Sequence, residues 1–112
     1  MRAIVGAVRL EKEATIVKFI IETGCLTDEE IKKASRLVLA SGADFIKTSS
    51  GMGPRGASLR DIELIKEAVN DKIKIKVAGG VDTLNEALAF IEKGVSRIGT
   101  SHAVKIIEEI SA

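Results

Sequence analysis

Four times along this chain a short branched apolar run is followed by a helix-capping residue and then by hydrophobic residues at helical spacing, and this alternation constrains the fold more than any other feature. Ile16-Val17-Lys18-Phe19-Ile20-Ile21-Glu22 reads as the first strand. Thr27 then caps a helix with Glu30 as its capping-box partner, Ile31, Ala34, Leu37 and Val38 recur at helical spacing, and Gly42 closes the helix. The second strand is Asp44–Ser49. A loop of small residues, Ser50–Ala57, holds the only proline, and Ser58 caps a helix carrying Ile62, Ile65, Ala68 and Val69. The third strand, Ile73–Ala78, is broken by Gly79-Gly80. Thr83 and Glu86 form another capping box, and that helix runs to Lys93 with Gly94 behind it. Ser96–Thr100 is the fourth strand, and a last helix covers about His102 to Ile110. Before the first strand, roughly Arg2 to Glu13 reads as a helix.

Alternating strands and helices imply a parallel sheet with helices packed on it. No linker or low-complexity stretch divides the chain, so residues 1–112 are expected to form one domain. The pattern permits two architectures, a small open α/β sheet or part of a (β/α)8 barrel. A whole barrel needs about 200 residues or more, so 112 can supply only half of one.

Composition narrows the partners. A formal charge of +1 gives no electrostatic argument for nucleic acid or an anionic membrane. Three Phe with no Tyr or Trp leave little on which single-stranded bases can stack. Charges lie within the first ten or so residues and no signal-peptide core is visible. No apolar run approaches the roughly 18 residues of a membrane span. The simplest expectation is a cytoplasmic protein without nucleic-acid or membrane partners. The single cysteine, Cys25, excludes an intrachain disulfide, and the only histidine that could activate it is His102. A packed or loop thiol is the plainer reading.

Two lysines stand where parallel α/β folds bind ligands, near the C-terminal ends of strands. Lys47 precedes Ser49-Ser50-Gly51, and Lys76 holds the corresponding place before Ala78-Gly79-Gly80. If the strands are neighbours and both lysines point the same way, two ammonium groups about 6 Å apart repel by roughly 3 kcal/mol at an effective dielectric near 20, about two pKa units. Desolvation acts in the same direction. A lysine neutralised in this way can attack a carbonyl. The competing reading is that both lysines snorkel or pair with acids, and the alternation Lys72, Lys74, Lys76 resembles a solvated edge strand. Spacing alone leaves both readings open.

Four segments resemble deoxyribose-phosphate aldolases, in order and across nearly the whole chain. Ile20-Ile21-Glu22-Thr23-Gly24 with Leu26-Thr27-Asp28-Glu29-Glu30 is similar to that family's fifth-strand segment. Ala43–Gly51 resembles the sixth strand, where the family's lysine forms a Schiff base. Lys76-Val77-Ala78-Gly79-Gly80-Val81 resembles the seventh, and Gly94–Ser101 the eighth. The resemblance implies half of a TIM (β/α)8 barrel, strands five to eight, completed by oligomerisation with a second copy or by an N-terminal half-barrel. It implies a class I aldolase acting on a small phosphorylated aldehyde or sugar without metal or organic cofactor. Lys47 becomes the nucleophile and Lys76 its electrostatic activator. Thr48 and Ser50 fall near the reacting carbons, and Gly79, Gly80, Gly99 and Ser101 fall where the family binds the substrate phosphate. Glycine-turn N–H groups and a helix N-terminus suit that role, and Gly51, Gly53 and Gly56 are available from the preceding loop; simple turn geometry is the alternative for all these glycines.

Departures accompany the resemblance. Asp82 stands where the family commonly has a basic residue, and His102-Ala103 where it has Ser-Gly. Arg55 is a possible compensating charge. No residue matches the family's proton-shuttling aspartate, which belongs to the fourth strand, and Glu22 is a poor substitute. A non-catalytic half-barrel that self-associates is therefore the alternative to an aldolase, with an unrelated small binding domain third. In either half-barrel case four parallel strands are expected to leave two unpaired edges and one exposed apolar face.

Overall fold

The computed structural model describes residues 1–11 and 15–111. A first helix, α1 (Arg2–Glu11), precedes four strand–helix units. The strands are β1 (Lys18–Ile20), β2 (Phe45–Lys47), β3 (Lys74–Ala78) and β4 (Arg97–Gly99), and the helices that follow them are α2 (Asp28–Ser41), α3 (Leu59–Val69), α4 (Leu84–Glu92) and α5 (Ala103–Ser111). The first helix matches the sequence expectation as far as Glu11; its expected last turn, to residue 13, lies outside the described residues. Each strand is shorter than its apolar run. Glu22 shows why for β1: it adopts a left-handed conformation, φ 52°, and leads into a 3-10 turn over Thr23–Cys25.

The local stop and start signals form largely as the residues dictate. Thr27 and Glu30 close a reciprocal capping box on α2, and Gly42 ends that helix at φ 83°. Ser58 caps α3, with Asp61 completing its box. At α4 only half of the expected box exists. The Thr83 hydroxyl accepts from Glu86 N–H, but it also donates to the Glu86 carboxylate. The neighbouring Leu84 N–H donates instead to Glu109 on α5, at 2.6 Å, tying the last two helices together.

The sheet order is β1-β2-β3-β4, every pair parallel. Strands that follow one another in space as in sequence, joined by right-handed crossovers, place every connecting helix on the same face. The core confirms this. Ile46, Ile75 and Val77 point to one side of the sheet and meet Ile31, Val38, Ile62, Ile65, Val69 and Phe90 from the helix layer. The winding is single, with the helix layer on one face, and the four units form half of a (β/α)8 barrel, the second of the two architectures the sequence pattern permits.

Two expectations are corrected by this arrangement. Lys74 and Lys76 lie not on an edge strand but on β3, which pairs with neighbours on both sides. The bare face of the sheet is also not apolar. It carries Lys18, Lys47, Lys74, Lys76 and Arg97 around a single aromatic ring, Phe45, which is only 3% exposed beneath them. The period of two along each strand puts the cations on the bare face, where Ile20, Phe45 and Ala78 accompany them, and turns Phe19, Ile46, Ile75, Val77 and Ile98 to the helix side. No helix among the described residues is long and apolar enough to cross a membrane.

Candidate active site

Lys47 and Lys76 are register partners across the β2–β3 pair. Directly opposed residues of neighbouring parallel strands share a face, with backbones about 4.8 Å apart. Both side chains are half-buried on the bare side of the sheet, toward its C-terminal end. Burial pushes the Lys76 ammonium below the ordinary lysine range, and the positive charges of Lys18, Lys47 and Arg97 push it further. The sequence suggested a repelling pair; the structure gathers a cluster, because β1 and β4 contribute cations that spacing along the chain does not reveal.

Above Lys47 opens a cavity of about 440 Å³, lined by Lys47, Gly51, Gly79, Gly80, Gly99 and Ser101 with Ala78, Val81, Asp82 and Thr100. Lys76 lies beneath its wall, since a β-carbon on Gly99 would stand 3.4 Å from Lys76 Cε. Gly79 and Gly80 both have positive φ, 77° and 76°, the conformation that glycine adopts without strain. The loop after β2 presses directly on them. A β-carbon on Gly56 would lie 2.5 Å from Gly79 C and Gly80 N. The cavity rim is thus two backbone segments in van der Waals contact, which only glycines permit.

Thr48 and Ser50 do not line this cavity. Thr48 is fully buried, its hydroxyl accepting from Ala78 N–H at 3.2 Å, so it fastens β2 to β3. Ser50 is exposed; its N–H donates to Glu22 Oε2 at 2.9 Å and its hydroxyl accepts from Met52 N–H. Glu22 therefore holds the start of the β2 loop and lies outside the cavity. Cys25 is exposed beside β1, at the opposite edge of the sheet from His102.

Asp82 and His102 face each other at the rim, Oδ1 to Nε2 at 3.2 Å. The two departures noted in the sequence are partners in space. Thr100 secures this corner by donating to Val81 C=O and accepting from His102 N–H. Arg55 supplies no charge to the cavity. Its guanidinium is held by Asp61 through two bonds of 2.7 and 3.0 Å. Asp61 was missed in the sequence, although Ser58-x-x-Asp61 has capping-box spacing and could have revealed it.

A family model described as "DeoC/LacD family aldolase" matches residues 5–102. The chain belongs to that family. The deoxyribose-phosphate aldolase of Finegoldia magna is 47% identical over 104 residues, 93% of this chain and 49% of the relative. Among solved structures, "QR15, an Aldolase" superposes with a TM-score of 0.90 at 42% identity, covering 98% of this chain and 50% of that one. The tetrameric deoxyribose phosphate aldolase of Aeropyrum pernix gives a TM-score of 0.84 at 27% identity, over 99% of this chain and 48% of that one. This member of the DeoC/LacD family spans about half the length of the curated relatives it matches. Its glycine-rimmed cavity and strand-end lysines lie wholly inside the matched segment.

Proposed function

We propose that this chain carries the imine-forming half of a deoxyribose-phosphate aldolase active site, with residues 1–112 acting as one half-barrel unit. The observation that supports it best is Lys47 lining a cavity rimmed by Gly79, Gly80 and Gly99, with its register partner Lys76 behind the cavity wall. Lys47 Nζ attacks the aldehyde carbon of open-chain 2-deoxyribose 5-phosphate, and loss of water gives a protonated imine. The imine is the electron sink. A proton leaves the C3 hydroxyl, the C2–C3 bond breaks, glyceraldehyde 3-phosphate departs, and an enamine remains. Protonation and hydrolysis of the enamine then release acetaldehyde. No metal or organic cofactor is needed for this sequence. Lys76, its ammonium already destabilised, is the electrostatic partner and a short-range proton carrier.

The substrate phosphate belongs at the other end of the cavity, against the N–H groups of Gly79, Gly80 and Gly99 and beside Ser101. Asp82 opposes it there, and its ion pair with His102 reduces that opposition while His102 is protonated. In this reading Thr48 and Ser50 support the site through the backbone and do not touch substrate. The group that takes the C3 hydroxyl proton is assigned by the family resemblance to the fourth strand, outside the matched half. Turnover by these 112 residues alone is accordingly weak. The reaction is taken to be cytoplasmic, because sugar phosphates do not cross a bilayer unaided.

The test is borohydride reduction in the presence of acetaldehyde or 2-deoxyribose 5-phosphate, followed by peptide mass mapping. The expected result is one reduced adduct on Lys47, abolished in Lys47→Ala. An adduct on Lys76 moves the nucleophile to the neighbouring strand, and no adduct at all removes the aldolase reading. The alternative is a half-barrel that associates without catalysis. It is supported by the two open edges of the sheet among the described residues, and the Aeropyrum pernix relative is itself described as tetrameric.

A further inference from the structure

The two ends of the cavity differ in charge. Lys47 is the cation among its lining residues. Where the lining is Gly79, Gly80, Gly99 and Ser101, the charged side chain is an acid, Asp82. Arg55, the cation of the neighbouring loop, is committed to Asp61 through both terminal nitrogens. Two more carboxylates stand at the start of the next helices' contact. Glu86 accepts from the Thr83 hydroxyl, and Glu109 of α5 accepts from Leu84 N–H at 2.6 Å. Thr83 in turn accepts from Glu86 N–H. The first turn of α4 thus spends N–H groups on the chain's own acceptors. Among the described residues, the basic group paired with Asp82 is His102, whose Nε2 lies 3.2 Å from Oδ1.

A phosphate monoester carries close to two negative charges at neutral pH. Backbone N–H groups attract it as dipoles, while a carboxylate on the same rim repels it as a full charge. At about 7 Å and the dielectric of water, one carboxylate weakens the binding of a dianion by roughly five- to tenfold. A hydroxyl tail escapes this repulsion and can donate to the carboxylate. Asp82 therefore penalises one class of substrate tail and not the other. His102 acts against that penalty by drawing Asp82 Oδ1 toward the start of α5, and its charge offsets the carboxylate's when the imidazole is protonated. Thr100 fixes the approach of the two partners, accepting from His102 N–H and donating to the carbonyl of Val81, the residue before Asp82. Ion pairs as exposed as this one add little to stability, so the consequence of the pair falls on what enters the cavity.

We propose that Asp82 is the specificity-determining residue of this site and that His102 is its positioning residue. The carboxylate sets how strongly the cavity prefers a phosphate-ended aldehyde over a hydroxyl-ended one, and the histidine holds that carboxylate off the phosphate. The chain thereby has a weaker preference for phosphorylated aldehydes than the same glycine rim would have without the acid. The identity of the substrate rests on the aldolase reading given above; the charge argument rests on the cavity alone.

Two probes separate the two: inorganic phosphate has no aldehyde, and acetaldehyde has no tail. Inorganic phosphate is titrated into the unmodified chain, Asp82→Asn, His102→Ala and the double variant, and binding is read from the amide shifts of Gly79, Gly80 and Gly99. The same spectra verify folding, and Asp82→Ser or His102→Ser replaces a variant that does not fold. Asp82→Asn is expected to bind phosphate roughly five- to tenfold more tightly than the unmodified chain. His102→Ala is expected to bind it about threefold more weakly, and to have little effect once Asp82 is replaced. In borohydride trapping, the preference for 2-deoxyribose 5-phosphate over 2-deoxyribose should rise in Asp82→Asn by the same factor as phosphate affinity, since ring opening of each sugar cancels between variants. The proposal is overturned if Asp82→Asn binds phosphate no more tightly, or if that preference does not change. It is overturned as well by an equal loss from His102→Ala in both backgrounds, which would make His102 a phosphate ligand in its own right, and by the absence of phosphate-dependent shifts in every variant. Trapping of acetaldehyde on Lys47 tests the aldolase reading separately. Its failure beside the expected phosphate affinities removes the aldolase and keeps the role of Asp82 toward anions.

Discussion

Asp61 is almost fully buried yet accepts four hydrogen bonds, from Thr23 Oγ, Ser58 N–H and both terminal nitrogens of Arg55. Burial alone would raise its carboxyl, but these bonds outweigh burial and hold it below the usual range. One side chain thereby ties together the β1 turn, the cap of α3 and the loop that covers the cavity. Asp61→Asn replaces one acceptor oxygen by a donor facing donors, and the expected cost is about 1–3 kcal/mol, read from urea unfolding. The sign of its pH dependence follows from the depressed native value. The carboxylate's contribution is complete above its unfolded value near 3.8 and is lost as pH falls through the lower native value. The wild-type chain should lose stability more steeply than Asp61→Asn on acidification below about pH 4, and parallel curves would show that Asp61 is not the group responsible.

At the scale of elements, the loop after β2 and the turn after β3 act as one piece. Gly56 is pressed against the backbone of Gly79 and Gly80, and backbone cannot rotate aside as a side chain can. Gly56→Ala must therefore displace one segment or the other, at an expected cost of roughly 1–3 kcal/mol by overpacking. The displacement opens the rim against which the substrate phosphate is proposed to rest. The measurable result is a lower melting temperature together with a weaker dependence of borohydride trapping on the substrate's phosphate. A variant that melts lower but traps 2-deoxyribose 5-phosphate as before would show that the rim shapes stability and not the phosphate position. The caps are local by comparison: Thr27 with Glu30, Ser58 with Asp61 and Thr83 with Glu86 all depend on residues three apart.

For the whole molecule, the helix layer and the cationic face have different destinies. The helix layer is finished: its core residues Ile46, Ile62, Ile65, Ile75 and Val77 are fully buried within these 112 residues. The flanks are not. Ile107 is 61% exposed in the groove beside β4. Ile107→Gln should leave the chain's own stability within about 0.5 kcal/mol, as exposed substitutions do. A large loss of stability in the isolated chain would mean that the groove belongs to its own core.

The sequence by itself determined the order of the βα units, the positions of the helix caps, the strand-end lysines and the family, because capping and periodicity act over three or four residues and motifs are read along the chain. It did not determine which strands become neighbours, and so could not tell an open sheet from a half-barrel, a lysine pair from a five-cation face, or a free Arg55 from one held by Asp61. Asp82 and His102 lie twenty residues apart in the chain and meet only because β3 and β4 pair. These features depend on strand order and on the side to which each strand turns its alternate residues. Both are fixed by long-range pairing and by burial against the helix layer, and only the tertiary structure decides them.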